Sequence, residues 1–206
     1  MFGSGKTEIS LNTALNLKRD VEHVALIDID VISPYFRSRD EKSYLEKTGI
    51  KMVTAPDAYI HADLPIIAAE VGGYLSNEEY FTVADVGGNE DGAIVLGSLK
   101  NFLDKSKKSV FFVINVFRPF SSNEDEIISN ILRISQSARV KIDYLINNSN
   151  IGSETGAEEI ENGEEIVKAV SIRTGIPVAF TAISNDIDYS GTFPVFKMVK
   201  FMKNPW

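Results

Sequence analysis

Gly3-Ser-Gly-Lys-Thr7 places glycines, a lysine and a hydroxyl in the order a phosphate-gripping loop needs. Gly3, Ser4 and Gly5 allow close approach of backbone to a phosphate, Lys6 brings positive charge, and Thr7 offers a hydroxyl to a magnesium ion. In the full pattern G-x-x-x-x-G-K-[ST] the first glycine would precede Met1, so these residues form the back half of such a loop. The strand that feeds the loop is therefore expected upstream of Met1.

Acids stand where such a loop would need them. Asp28-x-Asp30 follows the apolar run Val24-Ala-Leu-Ile, and Asp85-Val-Gly-Gly88 follows Phe81-Thr-Val-Ala. A strand-ending carboxylate at Asp85 can hold magnesium through water, because that ion prefers hard oxygen ligands and keeps part of its hydration shell. Gly87 and Gly88 beyond it let the backbone approach a terminal phosphate and move when that phosphate leaves. Asp28 and Asp30, two residues apart, point the same way from a strand end. Asp28 is the candidate to support the magnesium shell, and Asp30, further out, to orient or deprotonate an attacking water. Asp85 alone could equally be an acid opening a glycine turn, and Asp28-x-Asp30 a loop-capping pair. Asn147-Asn148 closes another strand, and asparagine there serves either as a ligand contact or as a turn residue tolerant of left-handed backbone.

The elements that must position these groups alternate between strand-length apolar runs and helix-length amphipathic stretches. That alternation predicts an α/β fold, a mostly parallel sheet with helices on both faces and its first, central strand missing from this chain. Helices are expected over residues 7–19, 40–47, 63–75 and 93–103. Asp63 is the N-cap of the third, with Pro65 in its first turn. Strands are expected over 24–28, 51–54, 81–85, 110–116, 141–146 and 176–181. Ser122-x-x-Asp125 and Thr155-x-x-Glu158 predict capping boxes on two further helices. In a parallel sheet ligands bind beyond the carboxyl ends of the strands, which is where Asp28, Asp30, Asp85 and Asn147 fall. No linker or repeat interrupts the 206 residues, and one nucleotide-binding domain over 1–206 is expected.

Taken together, Gly3-Ser-Gly-Lys-Thr7, Leu26-Ile-Asp-Ile-Asp30 and Ala84-Asp-Val-Gly-Gly88 resemble the MinD/ParA-like P-loop ATPases, the CobQ/CobB/MinD/ParA nucleotide-binding family. The stretch from Asp30 to Asp40 looks like an uncharacterised bacterial branch of that group. The resemblance implies a P-loop NTPase fold and an ATP-dependent switch, often a nucleotide-sandwich homodimer, with slow hydrolysis gated by a protein partner. It implies that Lys6 binds phosphates, Thr7 magnesium, Asp30 the water, and that Asp85 is the Walker B acid. Asn147 would meet the adenine edge. Members with a deviant loop carry a signature lysine whose position here is Met1. Branches that bind iron–sulfur clusters need cysteines, and this chain has none.

Composition narrows the field further. A net charge of −8 argues against a bulk electrostatic grip on nucleic acid. Without cysteine there are no disulfides, thiolate nucleophiles or zinc–thiolate centres. No apolar run nears the roughly 20 residues of a membrane span, and a cytoplasmic location is expected. The tail from Phe193 to Trp206 mixes aromatics with Lys197, Lys200 and Lys203; it reads either as a membrane-surface segment or, the favoured reading, as a last element packed on the core. Arg37 and Arg39 are either phosphate or partner contacts or a solvated helix start. The leading function is ATP binding and hydrolysis with magnesium to regulate or help assemble a protein partner. A P-loop small-molecule kinase and a non-catalytic remnant of a nucleotide-binding domain are the competing readings.

Overall fold

The computed structural model describes residues 3–30, 38–54 and 65–201. Asp63, Arg37 and the tail beyond Phe201 lie outside them, as does the Arg39 side chain. The chain divides into two compact units, one of Lys6–Lys108 with Phe201–Trp206, the other of Met1–Gly5 with Ser109–Lys200. Both are α/β, each with a wholly parallel sheet.

In the first unit the helix α1 (Lys6–Asp20) leads into β1 (Val24–Asp28). A 3-10 turn (Ser38–Glu41) and the short α2 (Lys42–Lys47) precede β2 (Ile50–Thr54). Then come α3 (Pro65–Ser76), β3 (Phe81–Asp85), α4 (Glu90–Ser98) and α5 (Lys100–Leu103). The helix expected over 93–103 thus starts earlier and breaks at Leu99. The Asn89 side chain sets the start by accepting from the Gly92 N–H at 3.1 Å, an N-cap placed before the apolar run. The sheet order is β2-β1-β3. All five β1 residues are buried, as a strand covered on both faces must be. On one face Val24 and Leu26 meet Leu11 and Ala14 of α1, with Leu45, Ile50 and Met52 closing the core. Phe201 packs on the same core, its ring centroid 5.5 Å from that of Tyr44, and its N–H donates to Glu8 in the first turn of α1. That residue of the tail is therefore part of the core.

The second unit runs β4 (Phe111–Ile114), α6 (Glu124–Ala138), β5 (Tyr144–Asn147), α7 (Ala157–Thr174), β6 (Val178–Ser184) and β7 (Val195–Met198), with sheet order β4-β5-β6-β7. Its core joins Phe112, Ile114 and Leu145 to Ile127 and Ile131 of α6 and Val167 and Val170 of α7. β7 lies in the tail expected to pack on the core as a last element, but it was not expected as a strand. Only four residues long, it lacks the alternation that marks a strand, and pairing with β6 makes it one.

Both expected capping boxes are displaced by one residue. Asn123, not Ser122, caps α6, accepting from the Glu126 N–H at 3.0 Å, while Glu126 Oε2 accepts from the Ser122 N–H. On α7 the cap is Gly156, whose N–H donates to Glu159 at 2.8 Å. Thr155 closes the preceding turn instead, donating to the Gly152 carbonyl. Among the described residues β3 pairs only with β1 and β4 only with β5, so each is an edge of its own sheet. No helix there is long and apolar enough to cross a membrane.

Candidate functional site

In the first unit strand register decides where the acids point. β1 and β3 are parallel with Leu26 beside Val83 and Asp28 beside Asp85. Residues two apart share a face, and Val24, Leu26 and Val83 pack in the α1 core. Asp28 and Asp85 consequently leave the strand ends on the face that carries α1, whose first turn holds Lys6 and Thr7.

Asp85 is 1% exposed, and neither of its carboxylate oxygens has a hydrogen bond of ordinary geometry. Its pKa rises from 3.8 to about 7, first through burial, then through the neighbouring charge of Asp28. The Thr7 hydroxyl and the Lys6 ammonium pull the other way. Thr7 is thus close to Asp85 but not aligned into a formed bond. Lys6 is partly exposed as a residue, yet its ammonium is withdrawn from water and its pKa is lowered by that desolvation. Asp85, then Asp30, oppose the shift.

Asp28 and Asp30 do different work. Both are buried. Asp28 Oδ1 accepts from the Asp30 N–H at 3.1 Å, so Asp28 ties down the turn that carries Asp30. That is the loop-capping arrangement, and it leaves Asp30 as the acid further out. A Cβ at Gly87 would come within 3.1 Å of Asp30 Oδ1 and of the Gly92 Cα. Gly87, one of the two glycines expected to approach a phosphate, is where Asp30, the turn after β3 and the start of α4 meet. Asp85 and Asp30 therefore act on the Lys6 ammonium, while Asp28 acts on Asp85. Among the described residues no group of three or more His, Cys, Asp or Glu can hold a metal ion. A magnesium ion bound through a hydroxyl, phosphate oxygens and water does not need such a group.

The second unit holds the glycines. Gly3 and Gly5 have φ of +69 and +85, a region that side-chain-bearing residues enter at a cost. Asn148 braces them: its Nδ2 donates to the Ser4 carbonyl at 2.7 Å, and a Cβ on Gly5 would lie 2.2 Å from that nitrogen. The Asn148 N–H in turn donates to the Ile114 carbonyl at 2.7 Å, fixing it to the end of β4.

Asn147 ends β5 fully buried. Its Oδ1 accepts from the Ser149 N–H at 3.2 Å and hydroxyl at 2.6 Å. Because a backbone N–H can only donate, that contact fixes which amide atom is oxygen. The other atom, Nδ2, is buried with no partner. Neither Asn147 nor Asn148 has positive φ, so the left-handed tolerance of asparagine is not what places them. Gly163 of α7 lets the helix close on this pair, since a Cβ there would sit 2.3 Å from Ser149.

Sequence reasoning missed the frame around these residues. Asn115, 1% exposed, donates to the Asn150 carbonyl at 3.0 Å and accepts from the Phe117 N–H at 3.0 Å. It laces the loop after β4 to the loop after β5. Asparagines beyond two successive strand ends were the available signal. A separate node, buried Glu164, accepts from the Thr181 hydroxyl at 2.6 Å and the Thr192 N–H at 2.7 Å. Burial, and then the charges of Glu164 and Glu161, push the Tyr189 hydroxyl up to about 12.

The structure thus brings Lys6, Thr7, Asp28, Asp30 and Asp85 together in one unit, and Gly3, Ser4, Gly5, Asn147 and Asn148 in the other. Comparison of the chain with protein-family models and with curated proteins finds no match.

Proposed function

We propose that the chain is a nucleotide-binding switch of the MinD/ParA-like P-loop kind, which binds ATP with magnesium and hydrolyses it to regulate or help assemble a protein partner. One observation carries the reading: Asp85, buried with both oxygens unbonded beside the Thr7 hydroxyl and the Lys6 ammonium. Leaving a buried carboxylate unbonded costs more than the roughly 1–3 kcal/mol of a neutral polar group. Such a group persists where a ligand completes it.

When bound, ATP with magnesium supplies the phosphoanhydride bond and the divalent charge that three clustered acids call for. The chain's own residues divide the remaining tasks. Thr7 and Asp85 would hold the ion, Asp85 through water. Lys6 and the backbone at Gly3, Ser4 and Gly5 would bind phosphates. Asp30, held by Asp28, would orient or deprotonate the water. The unpartnered Asn147 amide nitrogen suits an acceptor such as a ring nitrogen of adenine.

Calorimetric titration with ATP and magnesium, paired with a phosphate-release assay, tests the reading on wild type and Lys6→Ala. Binding and turnover by the wild type, lost by tenfold or more in the variant, is expected from removing a charge-assisted phosphate contact. Wild type that neither binds nor hydrolyses ATP, or Lys6→Ala with wild-type turnover, overturns it.

A further inference from the structure

We propose that Arg118, presented by a rigid loop after β4, is a second phosphate-binding cation that acts at the glycine stretch. The inference rests on the ATP reading above and assigns that site a residue outside its motif.

Arg118 lies against the glycines within their own unit. A Cβ added at Gly3 would be 3.7 Å from both Cδ and Nε of Arg118. Arg118 is exposed, and among the described residues its guanidinium has no ion-pair or hydrogen-bond partner. An arginine laid beside backbone with its planar fork uncommitted is suited to oxyanion capture, because the fork matches two phosphate oxygens at once.

The loop is held far more firmly than an exposed connection requires. Asn115 Oδ1 accepts from the Phe117 N–H, and the Arg118 N–H donates to the Asn115 carbonyl at 3.1 Å. The buried Ser121 hydroxyl lies 2.7 Å from the carbonyls of Asn115 and Arg118, bridging both. Asn130 Nδ2 donates to the Phe120 carbonyl at 2.7 Å. These bonds keep Phe120 at φ 62 although its side chain is 76% exposed. A bulky residue in left-handed backbone with no burial in return is strained, and such strain persists where the surroundings over-determine it, typically at functional sites. Here the result is a fixed Arg118.

Charge gives the loop its purpose. A triphosphate carrying about four negative charges needs more cationic partners than one magnesium ion supplies.

The test measures dissociation constants for ATP and for tripolyphosphate, each with magnesium, on wild type, Arg118→Ala and Arg118→Lys, with melting curves of each. Arg118→Ala is expected to melt like wild type and to weaken both ligands by roughly tenfold to a hundredfold. Arg118→Lys should recover only part of that loss, since an ammonium keeps the charge but not the fork. Binding by Arg118→Ala within twofold of a wild type that does bind ATP overturns this inference and leaves the ATP reading standing. Weakening of ATP but not of tripolyphosphate also overturns it, moving the contact to the nucleoside. A wild type that binds neither ligand overturns both.

Discussion

Asp85→Asn keeps the shape of the side chain and removes a charge that the fold leaves unbonded. The carboxyl titrates at about 7 in the folded chain against an ordinary 3.8. At 1.36 kcal/mol per unit, keeping it ionised costs the fold about 4 kcal/mol. Below pH 3.8 the group is protonated in both states and the cost is absent. Between 3.8 and 7 the unfolded chain has released the proton while the folded chain still holds it, so stability falls as pH rises. Above 7 the cost is fully present. Urea denaturation in chelator, without nucleotide, should therefore find Asp85→Asn more stable than wild type by about 2–4 kcal/mol at pH 8, the lower figure allowing for an amide that is itself unsatisfied. The advantage should fall below about 1 kcal/mol by pH 4, and the variant should lose ATP hydrolysis. A stability difference that is the same at both pH values refutes the reasoning, as does a variant less stable than wild type at pH 8.

Three further outcomes follow from the packing. Gly5→Ala combines left-handed backbone with displacement of Asn148 from the Ser4 carbonyl, and urea denaturation should show a loss of about 2–3 kcal/mol. Gly163→Ala drives a methyl group into Ser149 and should cost about 1–3 kcal/mol in the same assay, with Ser149→Gly restoring part of it. Glu164→Gln should lower the Tyr189 ionisation midpoint, followed by ultraviolet absorbance, from about 12 toward 10, by part and not all of the interval because burial is the largest cause of the shift.

The first unit was the more legible in sequence. Its strands β1 and β3 coincide with the expected 24–28 and 81–85, because each is a short, mainly apolar run with an acid at its end. Their pairing could not be read from the chain, yet the pairing is what sets Asp28 beside Asp85. The helix starts failed by one residue because Ser122 and Asn123, or Thr155 and Gly156, are both competent caps, and only tertiary contact chooses between them. Asn115 and Arg118 were invisible as site residues for a different reason. Each owes its placement to a neighbour distant in sequence or to a glycine's missing side chain, neither of which leaves a periodic signal.

The bond from Asn148 to the Ser4 carbonyl spans 144 positions of the chain. During synthesis at about 5–20 residues per second, the glycines emerge about 7–29 s before the residue that braces them. In that interval residues 6–108 are already available to pair β1 with β2 and β3, while the Phe201 contact to Glu8 must wait for residue 201. The lysine and its acids can therefore begin to assemble early, while the glycine stretch joined to them by one peptide bond is braced only after Asn148 has emerged. On the nucleotide reading proposed above, a nascent chain would hold a braced glycine stretch only once residue 148 has been made.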